Sequence, residues 1–193
     1  MKNYNYQTNS KDCCCSCGLK KAICILTSLN SLIDTNEKIT IYYSNTSPIT
    51  NASILNSHYP SLVLINGTNN SNNTVESYIC VDCINAIKVY PKNNDYQSII
   101  NILNGEYNSP ICLTLPCIEN CCCKYSIAGY LKDKYITMSN RNFNVSLCNS
   151  PHDILNVSVI HLDYDVAWLL NSIDKVLYLV QLCNICSLSE VSV

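Results

Sequence analysis

Cysteines give this chain its most distinctive chemistry, since 15 of its 193 residues are of this type. A thiolate can bind a metal ion, exchange electrons with a disulfide, or join two segments or two molecules covalently. Those in clusters are Cys13, Cys14, Cys15, Cys17, Cys121, Cys122 and Cys123. Outside these clusters there are two C-x2-C pairs, Cys80 with Cys83 and Cys183 with Cys186. Each of these three chemistries requires a different arrangement of cysteines along the chain.

Metal binding is one use of the C-x2-C pairs, because two such pairs can surround a zinc ion. The pairs lie about 100 residues apart, whereas a zinc ribbon has ~15–20 residues between them. Both pairs also fall in strand-like runs, where residues i and i+3 face opposite sides. One cysteine of each pair is then expected to be a small buried hydrophobe. Zinc with Cys80, Cys83, Cys183 and Cys186 as ligands is therefore an alternative, and the leading interpretation needs no cofactor.

Redox catalysis is a second alternative. A thioredoxin-type C-x2-C begins a helix directly after a strand. Cys14 and Cys17 lie near the start of a candidate helix, but no strand precedes them. A dithiol site here would also have to work among many thiols that could rearrange it. A thiol-disulfide oxidoreductase is thus a weaker hypothesis.

A cysteine–histidine nucleophile has no support in the sequence. His58, His152 and His161 stand alone, and the internal repeat described below replaces His58 by Asp163 and His161 by Asn56. We therefore predict no catalytic residue and no enzymatic activity.

Disulfide cross-linking fits the clusters best. Adjacent cysteines rarely have the geometry to bond to each other, so the triplets should reach other segments or other molecules. Cysteines before a helix start also favour the thiolate, which is the attacking species in exchange. We expect intermolecular bonds first at Cys13, Cys14, Cys15 and Cys17, and second at Cys121–Cys123. The cysteines of the C-x2-C pairs should be shielded by strand packing.

The elements that position these cysteines occur twice. Asn51 to Asn66 aligns without a gap on Asn156 to Asn171, at an offset of 105 positions. A cysteine triplet, a candidate helix and a strand precede each copy, and a β-rich run follows it. The pattern predicts two units of roughly 70–80 residues with the same strand order. Leu64 and Leu169 should then be equivalent and buried, and Trp168 should pack in the core.

The predicted organisation is mainly β with short helices. It comprises a flexible arm (1–12), a cysteine-led helix with a first unit (13–91), a linker (92–120) and a helix with a second unit (121–193). A short helix followed by about five short strands predicts a small β-barrel. The strand rhythm resembles the Sm-like fold, with ITIYY, LVLIN and INAIKV in one unit and LNVSVI, VAWLL and VLYLV in the other. The Asp and Asn-Gly signatures of RNA-binding Sm proteins are missing, so their function is not implied.

Charge and hydropathy exclude several partners. Only 13% of residues are charged, the net charge is −2, and Arg141 is the sole arginine. A phosphate-binding surface needs clustered Lys and Arg, so no nucleic-acid partner is expected. No apolar run reaches the ~18 residues of a membrane helix, so no membrane insertion is expected. The N-terminal residues lack the apolar core of a signal peptide, which predicts synthesis in a reducing cytoplasm.

The segments CCCSCGLKKAICILTSL and NCCCKYSIAGYL, together with an Asn/Ile/Tyr/Lys-rich composition, resemble the cysteine-rich coat and exosporium proteins of endospore-forming bacteria. The resemblance implies a structural protein of the spore surface that is made in the mother-cell cytoplasm. It implies self-assembly into a homo-oligomer or extended lattice, together with other cysteine-rich spore proteins, and cross-linking by disulfides. A zinc- or other metal-binding protein and a thiol-disulfide oxidoreductase remain the alternatives.

Overall fold

The computed structural model describes residues 17–43, 46–59, 62–104, 131, 141–148, 150–163 and 166–191. Within them the chain is mainly β, with two short helices and one ten-stranded antiparallel sheet. The helices are α1 (Cys17–Ser28) and α2 (Tyr96–Asn104). The first five strands are β1 (Ile39–Tyr43), β2 (Ile49–Tyr59), β3 (Leu62–Thr68), β4 (Thr74–Cys80) and β5 (Ile84–Val89). The last five are β6 (Phe143–Leu147), β7 (Asp153–Asp163), β8 (Val166–Asn171), β9 (Val176–Gln181) and β10 (Ile185–Glu190).

The sheet consists of two groups of five strands with the same internal order. Across the sheet the strands run β10-β6-β7-β8-β9-β5-β1-β2-β3-β4. In each group the fifth strand lies beside the first, and the fourth lies at the far side. The groups join where β5 of the first half pairs with β9 of the second half. The strand order that the repeat predicts for both halves is therefore observed, but within one continuous sheet.

Cross-strand registers match between the halves pair by pair. The pairs between β3 and β4 are Leu62–Cys80, Val63–Ile79, Leu64–Tyr78, Ile65–Ser77 and Asn66–Glu76. Their counterparts between β8 and β9 are Ala167–Val180, Trp168–Leu179, Leu169–Tyr178, Leu170–Leu177 and Asn171–Val176. β8 follows β3 by 105 positions, while β9 follows β4 by 100 positions. The difference of five positions arises because the first hairpin extends further: nine residues separate Asn66 from Glu76, whereas four separate the matching Asn171 from Val176.

The first and fifth strands of each half match in the same way. The pairs between β1 and β5 are Ile39–Val89, Thr40–Lys88, Ile41–Ile87, Tyr42–Ala86 and Tyr43–Ile84. Their counterparts between β6 and β10 are Phe143–Glu190, Asn144–Ser189, Val145–Leu188, Ser146–Ser187 and Leu147–Ile185. Both ladders shift register at the last of these pairs. A 3-10 turn precedes the fifth strand in each half, at Val81–Cys83 and at Leu182–Asn184.

Two asparagines bend the long second strand of each half. Asn51 in β2 and Asn156 in β7 have positive φ angles of 48° and 52° and lie 105 positions apart. Asparagine is one of the few residue types that adopts this left-handed conformation readily. The register with the neighbouring strand shifts around each of them, as expected for a β-bulge. The repeat thus extends to an unusual backbone conformation.

The core crosses the boundary between the halves. One cluster combines apolar side chains of α1, α2 and the first five strands with residues of β8 and β9, including Trp168. Trp168 is 1% exposed, as the sequence predicts. A second cluster lies among the strands of the second half and includes Phe143, Leu169 and Leu182. Gly67 sits so close to β2 that an added Cβ would lie 2.4 Å from the Ile49 side chain.

Some predictions about burial and boundaries need correction or stay open. Leu169 is buried, but Leu64 is only half-buried, so the prediction for Leu64 is wrong. The linker 92–120 contains α2 near its start. The arm 1–12 and most of the second cysteine-led helix lie outside the described residues. The division into units at 13–91 and 121–193 stays a prediction.

Candidate assembly edges and cysteine sites

Strand β4 forms one edge of the sheet. It pairs with β3 on one side, and no other described strand lies beside it. Its sequence, TVESYIC, contains one charged residue and neither lysine nor proline. Tyr78 near its end is 63% exposed, although it is large and mostly apolar. Unpaired N–H and C=O groups on such an edge can template pairing with another chain.

Strand β10 forms the opposite edge. It pairs with β6 alone among the strands that the structure describes. Its sequence, ICSLSE, also lacks lysine and proline. Its one charge, on Glu190, is engaged by Arg141, whose Nη1 lies 2.6 Å from Oε1 of Glu190. Neither edge strand therefore contains lysine or proline, two of the residue types that usually protect an edge strand.

A disulfide fastens β10 to its neighbour. Cys148, directly after β6, is bonded to Cys186 in β10, with their Cα atoms 4.9 Å apart. The backbone N–H of Cys148 also donates to the carbonyl of Asn184 at 2.7 Å. The sequence predicts that Cys186 is a shielded strand thiol, and it gives no signal for Cys148. Cys186 is instead exposed and oxidised, and in this form it is not a thiolate ligand for a metal.

The two C-x2-C pairs occupy different places. Cys80 ends β4 and Cys83 ends the 3-10 turn, so a turn separates them instead of a straight strand. Cys80 is half-buried and forms no disulfide, and Cys83 is exposed. In the second half, Cys183 lies inside the turn, at the position matching Asp82. The two pairs therefore share their spacing in the sequence but not their positions in the fold. The described residues contain no group of three or more potential metal ligands.

The predicted cross-linking cysteines lie at the start of α1 and beyond the described residues. Cys17 is the first residue of α1, which fits the expectation that the cluster precedes a helix. Cys13, Cys14, Cys15, Cys121, Cys122 and Cys123 lie outside the described residues. Within α1, Cys24 is disulfide-bonded. The described cysteines thus include members of disulfides in both halves.

The junction between the halves shows how this chain joins one sheet edge to another. Strands β5 and β9 pair through Ala86–Val180, Ile87–Leu179, Lys88–Tyr178 and Val89–Leu177. The Lys88 ammonium lies 5.8 Å from the ring centre of Tyr178, which is within reach of a cation–π interaction. Burial raises the pKa of the Tyr178 phenol strongly. Asn184 Nδ2 donates to the Ile84 carbonyl at 3.2 Å and ties the second half's turn to the first half.

A polar cleft lies beside this junction. It has a volume of about 240 Å³ and is lined by Asp34, Lys88, Tyr90, Asp174 and their neighbours. The Asp34 carboxylate accepts backbone hydrogen bonds from Asn36 (2.6 Å) and Glu37 (3.1 Å), and these bonds lower its pKa. That carboxylate therefore closes a local turn. The cleft carries no set of side chains that defines a ligand.

Two histidines have described side chains, His152 and His161, and they make different contacts. His152 stacks against Tyr42, with ring centres 5.2 Å apart. His161 is half-buried in β7 opposite Trp168. Burial lowers its pKa more than Asp163 raises it, and Lys21, which is ion-paired to Asp163 at 2.7 Å, lowers it further. The neighbours described here for His152 and His161 are Tyr42 and Trp168, and neither of these neighbours is a cysteine.

None of the described helices has the length and apolar character needed to cross a membrane. Comparison with known proteins identifies no relative: no family, no curated protein and no solved structure matches this chain.

Proposed function

We propose that this chain is a non-enzymatic structural protein that assembles with copies of itself and is then cross-linked by disulfides. The observation that carries the proposal is the pair of sheet edges, β4 and β10, at opposite ends of one ten-stranded sheet. Edge strands without lysine or proline can template association between chains, and neither β4 nor β10 has a second neighbour among the described strands. An ordinary monomer would be expected to block at least one of them.

Cysteine chemistry supports the second step. Cys148–Cys186 and the bonded Cys24 are disulfides of the folded chain, and they use cysteines of both halves. A folded chain that already oxidises some cysteines, and carries triplets whose adjacent members rarely bond to each other, can use remaining thiols between molecules. Non-covalent pairing of edges would hold the chains in place, and disulfides would make the assembly resistant to denaturant.

The setting that we propose follows from the resemblance to coat and exosporium proteins. The chain would be synthesised in the mother-cell cytoplasm and would join the spore surface layer, together with other cysteine-rich proteins. We further propose that each half is a small Sm-like unit. The bulges at Asn51 and Asn156, which bend the long second strand of each half, support this curled geometry. The low content of Lys and Arg supports a protein partner over a nucleic acid.

The test compares reduced and oxidised protein. In reductant, light scattering should give a mass above that of one 21.6-kDa chain. After oxidation, electrophoresis in denaturant without reductant should give a ladder that reductant removes. Replacing Cys13, Cys14, Cys15 and Cys17 by serine should shorten the ladder, while the matched control Cys80→Ser with Cys83→Ser should keep it. A monomer in both redox states, or stoichiometric zinc in protein purified under reductant, would refute the proposal, and zinc would favour the metal-binding alternative.

A further inference from the structure

The junction inside the chain is a template for a junction between chains. β5 and β9 are the fifth strand of one half and the fourth strand of the other. The two edges left over are the remaining fourth strand, β4, and the remaining fifth strand, β10. The edges are therefore the same two kinds of strand that already pair within the chain.

The register of the internal junction can be carried over to the edges residue by residue. Five matching pairs relate β4 to β9, and five relate β10 to β5. The internal pair Ala86–Val180 then corresponds to Ser187 facing Cys80. The other three internal pairs correspond to Leu188–Ile79, Ser189–Tyr78 and Glu190–Ser77.

We propose that β10 of one copy pairs antiparallel with β4 of the next copy in this register. The inference deepens the proposed self-assembly and rests on it. It commits to a head-to-tail contact, in which each chain gives one edge and receives the other. Such a contact is heterologous, so it builds a closed ring or an open filament, depending on the rotation from one copy to the next. Pairing of two β4 strands, or of two β10 strands, has no counterpart inside the chain.

The side chains of the two edges fit this contact. Leu188 opposite Ile79 repeats the apolar pair Ile87–Leu179 of the internal junction. Tyr78 is 63% exposed, whereas its counterpart Tyr178 is half-buried at the junction. A neighbouring β10 would cover Tyr78 in the same way.

The contact between chains should be weaker than the one within the chain. At the internal junction β5 contributes Ala86, Lys88 and Val89, and at the edge β10 contributes Ser187, Ser189 and Glu190 in their places. Serine and glutamate bury less apolar area than alanine, lysine stem and valine. Association should therefore be reversible at low concentration until disulfides fix it.

A new cysteine at Ser187 tests the register directly. Directly opposed residues of an antiparallel pair have Cβ atoms about 4.5–5.5 Å apart, close to the separation that a disulfide spans. In the proposed contact, Ser187→Cys faces Cys80 of the next copy, which forms no disulfide in the described structure. Oxidation should yield a covalent dimer and higher species, and mass spectrometry should find the β10 and β4 peptides joined through these two positions. The linked peptide should be at least several-fold more abundant than in the matched variant Ser189→Cys, which faces Tyr78.

Three further variants test the interpretation. Combining Ser187→Cys with Cys80→Ser should abolish the linked peptide without changing the other disulfides. Ser77→Lys should raise the association constant about two-fold and Ser77→Glu should lower it about two-fold, because position 77 faces Glu190 across the proposed contact.

The outcomes separate this inference from the proposal on which it rests. If the Ser187→Cys variant forms a ladder through its native cysteines but no bond between positions 187 and 80, self-assembly stands and the head-to-tail register is overturned. A peptide joining two introduced cysteines would overturn it in favour of pairing between two β10 strands. A protein that stays monomeric in every redox state would overturn both.

Discussion

Substituting Asn51 and Asn156 tests the internal repeat at its most unusual point. Both residues have left-handed backbone conformations, with φ of 48° and 52°, at matching positions of β2 and β7. For a residue that has a Cβ but no short polar side chain, this conformation is sterically unfavourable by about 1–2 kcal/mol, whereas glycine adopts it without steric strain. Alanine and glycine at each site therefore separate backbone strain from the loss of the side chain.

The expected difference between the two variants follows from two opposing effects. Steric strain disfavours alanine by about 1–2 kcal/mol. Greater freedom of the unfolded chain disfavours glycine by about 0.4–1 kcal/mol. The glycine variant should therefore be more stable than the alanine variant by about 0.5–1 kcal/mol at both sites.

Asn156 should show a larger absolute loss in both variants. Its Oδ1 accepts a hydrogen bond from Asn142 Nδ2 at 2.9 Å, and either substitution removes it at a cost of about 0.5–1.5 kcal/mol. The Asn51 side chain is exposed, and its replacement removes less. The absolute losses should differ between the sites, while the difference between alanine and glycine stays the same.

Urea unfolding in fixed redox conditions measures these free energies. Ser158, two residues beyond Asn156 in β7, is the control, since its φ is not positive. There the order should reverse, with Ser158→Ala more stable than Ser158→Gly. If alanine is as stable as glycine at both sites, the bulges are not strained, and if only one site shows the difference, the backbone equivalence of the two halves fails.

Four further substitutions probe the core, a close approach, a titrating group and the disulfide. Trp168→Ala should lower the free energy of unfolding by about 3–5 kcal/mol, because the ring is fully buried, and blue-shifted fluorescence of the intact protein should confirm its environment. Gly67→Ala should cost about 1–3 kcal/mol in urea unfolding, since the added methyl overlaps β2. Burial lowers the pKa of His161, so its contribution should be complete above pH ~6.5 and decline as the pH falls, and His161→Gln should flatten that slope in a pH series of unfolding curves. Replacing Cys148 and Cys186 together by serine should cost about 2–4 kcal/mol under oxidising conditions and nothing measurable in reductant.

The repeat predicts much of the fold because it follows strand geometry. Asn51–Asn66 and Asn156–Asn171 span the second and third strands of their halves, so an ungapped alignment also aligns the cross-strand pairs. The helix at the start of the first half is visible for a similar reason, since its apolar spacing matches the buried face of α1. Local periodicity carries both signals.

The C-x2-C pairs were misleading because turns change the offset between the halves. β3 and β8 differ by 105 positions, β4 and β9 by 100, and β5 and β10 by 101. Cys80 and Cys183 are 103 positions apart, which matches neither the offset of 100 nor the offset of 101, so the two cysteines are not structurally equivalent. A motif that falls just after a turn of variable length cannot be aligned by one constant offset.

The joining of the halves and the Cys148–Cys186 disulfide depend on neighbours that are distant in sequence. β5 meets β9 across some 90 residues, and no period in the sequence specifies that pairing. Cys148 and Cys186 are 38 positions apart and meet only because β6 lies beside β10. Antiparallel register alone places Cys148 opposite Asn184, to whose carbonyl its N–H donates, and Cys186 is the unpaired residue at the register shift between Ile185 and Ser187, so the strand order does not specify this disulfide by itself.

The different burial of equivalent residues has its cause in the position of each half within the sheet. Leu64 is half-buried and Tyr78 is exposed, whereas Leu169 is buried and Tyr178 is half-buried. In the second half, the fourth strand has β5 beside it, and Lys88 lies over the Tyr178 ring. In the first half, the fourth strand has no such neighbour among the described strands, and Tyr78 stays exposed to solvent. The sequence keeps leucine and tyrosine at these matching positions even though only one half covers them within the chain, which is the pattern expected if a second copy supplies the missing strand.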